Sequence, residues 1–211
     1  MAADMWLVFT WWGIIFLVGA AAFPLTKKLF RDWYDQGYLF TKAVGLATVS
    51  WIVYVLGTLH ILSFSQAAII VSMVIVFLIG IVSLGRFPLR IRQNKHIVLI
   101  FLEEIFFLLA LLFWSWVKGH EPSIHGLEKF MDYGFMKSIL ESKFFPPPDM
   151  WYAGKSINYY YFGHLVTAVV TKLSGLDLSY TFNLMLATPS SRGTQPLLVR
   201  QCNAFYPLHY P

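Results

Sequence analysis

The chain has 211 residues, of which 57% are hydrophobic, 18% aromatic and only 13% charged. A soluble domain of that length needs a far more polar surface, so the composition indicates a membrane protein and excludes an ordinary soluble enzyme. The net charge of +5 shows no basic–aromatic interleaving, so no nucleic-acid partner is expected, and the single Cys202 leaves no internal disulfide and no cysteine zinc cluster.

A spanning helix needs about 20 apolar residues. Four such runs are predicted, at 5–24, 42–62, 67–84 and 97–117. A fifth, less apolar, is predicted at about 159–173, and a sixth begins near 178 and stops at 187, too short to span. The fold class is therefore all-α: a polytopic helical bundle with about five spanning helices and a truncated sixth. The first run carries Asp4 where a cleavable signal has basic residues, so it reads as a retained helix.

Lys27, Lys28 and Arg31 follow the first run, and Arg86, Arg90, Arg92 and Lys95 follow the third, whereas the turn at 63–66 is uncharged. Basic loops alternate as the positive-inside rule requires. The expected location is the plasma membrane, multi-pass, with the N-terminus and the long loop 118–158 outside. Three regions are expected: 1–96 with the first three helices, 97–188 as a core, and an atypical tail at 189–211. The tail reads as a truncated or frame-shifted end, or as an ordinary polar terminus.

The first three helices read as scaffold. Gly45, Gly57 and Gly80 fit close helix packing. Glu103 and Glu104 interrupt the fourth run. Carboxylates at membrane depth are costly and face a bundle interior or a polar cavity. The plain expectation is an interhelix hydrogen bond by one and exposure at the interface by the other; the functional alternative is a transport site.

The long loop concentrates the polar chemistry. Residues 123–143 predict an amphipathic helix lying along the membrane surface, with Leu127, Phe130, Met131, Phe135, Ile139 and Leu140 on its apolar face. Glu128 and Asp132, four apart, project from one side. Such a pair suits a divalent cation, a general base with a tuning partner, or simply a solvated acidic face. His120, Glu121 and His125 lie upstream without zinc-site spacing.

The return limb, "PPPDMWYAGKSINYYYFGH", carries turn chemistry at Asp149, Gly154 and Ser156 and an interfacial aromatic pair, Trp151 and Tyr152. Asn158 is the expected N-cap of a helix opened by Tyr159, Tyr160 and Tyr161. Three consecutive helical residues point about 100° apart, so the tyrosines cannot share one pocket; Tyr160 and His164 share a face. Hydroxylated aromatics beside charges suit a sugar, a lipid phosphate or a plain interface belt.

The segments "EKFMDYGFMKSIL" and "FFPPPDMWYAGKSINYYYFGH" together resemble the YYY membrane protein family of archaea and bacteria, named for its tyrosine triplet. The resemblance covers roughly residues 103–187. That family is similar in layout to the type C glycosyltransferases, polytopic enzymes that use polyprenyl-phosphate-linked sugars. The resemblance implies that the chain is an N-terminal fragment of a larger enzyme. It implies Asp132 as the base for an acceptor hydroxyl. Glu128 would assist, through a metal such as Mg or Mn or by orienting the acceptor. Lys129, Lys155 or His164 would meet the phosphate, with His125, Asn158 and Tyr160 among the substrate contacts. A transporter or a non-catalytic scaffold is the competing expectation.

Overall fold

The computed structural model describes residues 2–85, 94–126 and 128–188. Arg86, Arg90, Arg92, Leu127 and the tail from Pro189, including Cys202, lie outside the described residues, as does the side chain of Lys95. The fold is all-helical: α1 (Ala2–Leu29), α2 (Tyr38–Thr58), α3 (Gln66–Leu84), α4 (Asn94–Gly119), α5 (Lys129–Glu141), α6 (Phe162–Ser174) and α7 (178–188). Four helices are long and apolar enough to cross a membrane: Met5–Leu29, Tyr38–Thr58, Gln66–Leu84 and His96–Gly119.

α1 is the centre of the bundle and packs along both α2 and α3. Glycines allow this. A Cβ on Gly45 of α2 would lie 2.7 Å from the carbonyl oxygen of Val18, and one on Gly80 of α3 would lie 2.7 Å from the backbone nitrogen of Leu25. α1 runs through Pro24, and α3 approaches the helix at that point. The Asp35 carboxylate accepts from the backbone N–H groups of Gly37 (3.0 Å) and Leu39 (2.5 Å). It thus satisfies orphan donors at the start of α2, which begins four residues earlier than the apolar run predicts.

α4 is held differently. Among the described residues of α1 to α6 it touches only α1 and α2, and Phe101, Leu102, Leu109, Phe113 and Trp116 are exposed along it. Its tie is polar: Glu104 accepts from Trp12 Nε1 (2.7 Å), Lys42 Nζ (2.5 Å) and the Tyr38 hydroxyl. Lys42 also lies 4.7 Å from the Tyr38 ring centre and 4.9 Å from that of Phe107. Glu103 is buried too. The expected interface exposure of one of the two glutamates is therefore corrected: α1 and α2 supply enough donors to draw Glu104 inward, and Glu103 is covered beside it.

Two predicted elements are shorter than their patterns. The amphipathic helix spans only Lys129–Glu141. Pro122 and Gly126, the latter at φ 152°, keep the preceding stretch out of helix. Phe130, expected on its buried face, is exposed; Phe135, Met136, Ser138 and Ile139 are the buried residues. The fifth predicted span is α6, only 13 residues. At 1.5 Å per residue it covers about 20 Å, short of a hydrocarbon core of about 30 Å. α6 instead packs against α5 and against parts of α1, α2 and α3.

The return limb threads between these layers. Phe145 plugs a notch at Gly57, stacked on Tyr54 with ring centres 6.2 Å apart and tilted against Phe64 at 5.4 Å. Phe64 N–H donates to Lys143 O at 2.7 Å, fixing the limb to the α2–α3 turn. Gly57 is thus used for a loop aromatic rather than for a neighbouring helix. Beyond it, Asp149 N–H donates to Lys155 O (2.8 Å) and Ile157 N–H to Pro147 O (2.9 Å), around a single antiparallel bridge, Pro148–Ser156. Prolines lack the N–H a longer ladder needs. The Asp149 carboxylate accepts from Trp151 and Tyr152 N–H, and Gly154 supplies the positive φ that closes the turn.

Candidate functional site

The first turn of α5 and the start of α6 meet where the return limb ends. Glu128 precedes α5, and its carbonyl accepts from Asp132 N–H at 2.9 Å, so the two carboxylates lie one turn apart. Asp132 Oδ1 lies 2.9 Å from His164 Nε2. The aspartate side chain is 33% exposed and the histidine 14%, so the histidine is the covered partner and the carboxylate the accessible one. The edge of Phe135 packs against the imidazole at 5.5 Å and 89°, fixing its plane.

The tyrosine triplet divides two and one. Tyr159 and Tyr160 stack at 3.9 Å with their hydroxyls 2.5 Å apart. Tyr161 turns inward, buried beside Tyr54. Burial, then the Tyr54 hydroxyl, pushes its phenol up. The hydrogen bond to Tyr160, above all other causes, raises the Tyr159 phenol. Phe135 links the set, 5.9 Å from Tyr159 and 6.1 Å from the exposed Trp151.

Three expectations fail on geometry. Asn158 is exposed and makes no cap bond; the residue before α6 is Tyr161, whose carbonyl accepts the first helical bond from Leu165 N–H (2.9 Å). The tyrosines precede the helix rather than open it, because Tyr161 N–H donates to Tyr159 O in a tight turn. Tyr160, 78% exposed, therefore does not share a helical face with His164, which is paired with Asp132 instead.

The other expected site residues lie apart. Lys129 Nζ donates to Ser123 O at 3.4 Å, and His125 is exposed with its N–H on Ser123 Oγ. Lys155 is exposed at the far end of the hairpin. His120 is tied to the end of α4 by Trp116 O. Among the described residues no three His, Cys, Asp or Glu side chains converge as a metal would require, so Glu128 and Asp132 do not by themselves make a protein metal centre.

The sequence reading missed Lys42 and Tyr159. Lys42 is only 4% exposed within a spanning helix. Its signal was a lysine four residues after a tyrosine, inside an apolar run facing two intramembrane glutamates. Tyr159 carried no signal that separated it from its neighbours.

Residues 48–191 match a family described as uncharacterised membrane proteins, DUF2298. The chain belongs to this family. No curated protein and no solved structure matches it. The DUF2298 match begins within α2 and takes in α3, α4, the long loop with the Asp132–His164 pair, α6 and α7.

Proposed function

We propose that this multi-pass membrane protein transfers a sugar from a polyprenyl-phosphate donor to an acceptor hydroxyl at the outer face of the membrane. The observation that carries the reading is the Asp132–His164 pair, 2.9 Å apart and partly open, with Phe135 packed against both His164 and Tyr159 of the stacked tyrosine pair. Asp132 accepts the proton of the acceptor hydroxyl. The hydroxyl oxygen attacks the anomeric carbon, and the bond from that carbon to the phosphate oxygen breaks, its electron pair leaving with the polyprenyl phosphate. His164 holds the carboxylate in place, and Glu128 orients the acceptor. Lys129, at the start of α5, and Lys155, on the hairpin, are the cations proposed to meet the departing phosphate. A divalent cation at Glu128 and Asp132 would take its remaining oxygens from the substrate phosphate; the reaction as written routes no step through it.

The same aromatics suit the substrate, since the apolar face of a sugar ring packs on exposed Trp151 and Tyr160. The transport alternative rests on Glu103 and Glu104. Glu104 is occupied by three donors from α1 and α2, which suits a clasp between helices better than a path. The deciding experiment is sugar transfer in proteoliposomes from a polyprenyl-phosphate donor. Asp132→Asn should abolish turnover with the fold intact; undiminished turnover removes Asp132 from the mechanism.

A further inference from the structure

A second site lies on the other side of α5. Tyr133, Lys137 and Glu141 of α5, with Lys172 of α6 and Gly175 and Asp177 of the α6–α7 turn, line an open cleft of about 410 Å³. This is the lower size range of small-molecule pockets. Four charged side chains face it, and among the described residues none of the four belongs to an ion pair.

The two cations differ in depth. Lys172 Nζ donates to Leu140 O (2.9 Å) and Phe64 O (3.1 Å) and lies 4.2 Å from the Phe64 ring centre. These partners are neutral, and burial pulls the ammonium below the ordinary lysine range. An ammonium carries three protons, so the two carbonyls do not exhaust its donors. Lys137 stands at the rim. Two acids line the same cleft. Asp177 accepts from Ser179 N–H (2.8 Å) and hydroxyl (2.5 Å), and these bonds keep its carboxyl below the usual range. Glu141 is exposed one turn after Lys137, without pairing to it. Burial, and less strongly Asp177, raises the Tyr133 phenol.

A simple anion drawn to the lysines meets two carboxylates, and a simple cation meets two ammonium groups. Only a ligand with both charges, set apart, matches all four. We propose that this cleft binds a small zwitterion whose phosphate or carboxylate and ammonium lie a few bonds apart. The anionic end sits between Lys137 and Lys172, and the ammonium faces Glu141 and Asp177. The source is either a soluble zwitterion or the headgroup of a zwitterionic lipid.

Phosphoethanolamine is the probe, titrated against the detergent-solubilised chain by calorimetry. Saturable binding is expected, with inorganic phosphate and ethanolamine each at least roughly ten-fold weaker, as loss of one charge-assisted contact implies. Lys137→Gln and Glu141→Gln, both at exposed positions, should each weaken binding by about the same factor while leaving the ligand-free melting temperature unchanged. In nanodiscs, loss of probe binding with phosphatidylethanolamine but not with phosphatidylglycerol assigns the cleft to a lipid headgroup; retention in both assigns it to a soluble zwitterion. Absence of saturable binding in detergent overturns the proposal, as does phosphate binding as tightly as the probe or affinity unmoved by both substitutions.

Discussion

Asp132 and His164 are 32 positions apart in sequence, yet they make a cross-element polar contact between α5 and α6 at the candidate site. A positioned base contributes about 10²–10⁴-fold to a rate. Asp132→Asn is therefore expected to lower sugar transfer by at least about 100-fold, measured as initial rate in proteoliposomes. His164→Gln removes a support rather than the base. Loss of a hydrogen bond to a charged group costs about 1.5–3 kcal/mol. The expected result is a drop in kcat of roughly ten-fold or more with KM little changed. A change confined to KM would mean that His164 binds substrate rather than holding Asp132. Asp132 was legible in the sequence because a carboxylate one turn from another stands out on an amphipathic helix. Its partner was not: His164 was matched to Tyr160 by helical spacing, and that spacing lapses where the helix starts two residues after Tyr160.

Helices show the same contrast between pattern and packing. The four long runs were legible because apolar length is a one-dimensional property, and α1 to α4 all extend beyond at least one end of those runs. α6 was not, because an apolar stretch packed on four helices looks like one facing lipid until its length is known. Glycines are graded by what they touch. Alanine at Gly45 would place Cβ against the Val18 carbonyl, and at Gly57 against the Phe145 ring at 2.5 Å, whereas at Gly134 it meets only the flexible end of Met150. Overpacking costs about 1–3 kcal/mol where neighbours cannot yield. Gly45→Ala and Gly57→Ala should thus lower the melting temperature in detergent, and Gly134→Ala should do so less than either. The polar clasp on α4 makes a separate prediction. Lys42→Met strands the Glu104 carboxylate in a covered position, a change that typically costs about 3–5 kcal/mol. Adding Glu104→Leu should recover part of the loss, measured as thermal stability of the double variant against Lys42→Met. No recovery would show that Trp12 and Tyr38, not Lys42, are what Glu104 serves.

At the scale of the whole molecule the site requires one orientation. The loop with Asp132, the hairpin and the tyrosines emerges after α4, and the α1–α2 turn with Lys27, Lys28 and Arg31 lies at the opposite end of the bundle from the α2–α3 turn that Phe145 contacts. Basic residues resist translocation, so the positive-inside rule predicts the α1–α2 turn in the cytoplasm and the loop outside. Lipid-linked sugar chemistry at the outer face depends on that assignment. The chain offers a clean test because Cys202 is its only cysteine. In a Cys202→Ser background, cysteine replaces either Lys155, exposed on the hairpin, or Asp32, exposed on the α1–α2 turn. A membrane-impermeant maleimide added to intact cells should label Lys155→Cys and spare Asp32→Cys, with both labelled once the membrane is opened. The reverse pattern would put the carboxylates in the cytoplasm, where an outward-facing transferase has no substrate, and the proposed reaction would fall with it.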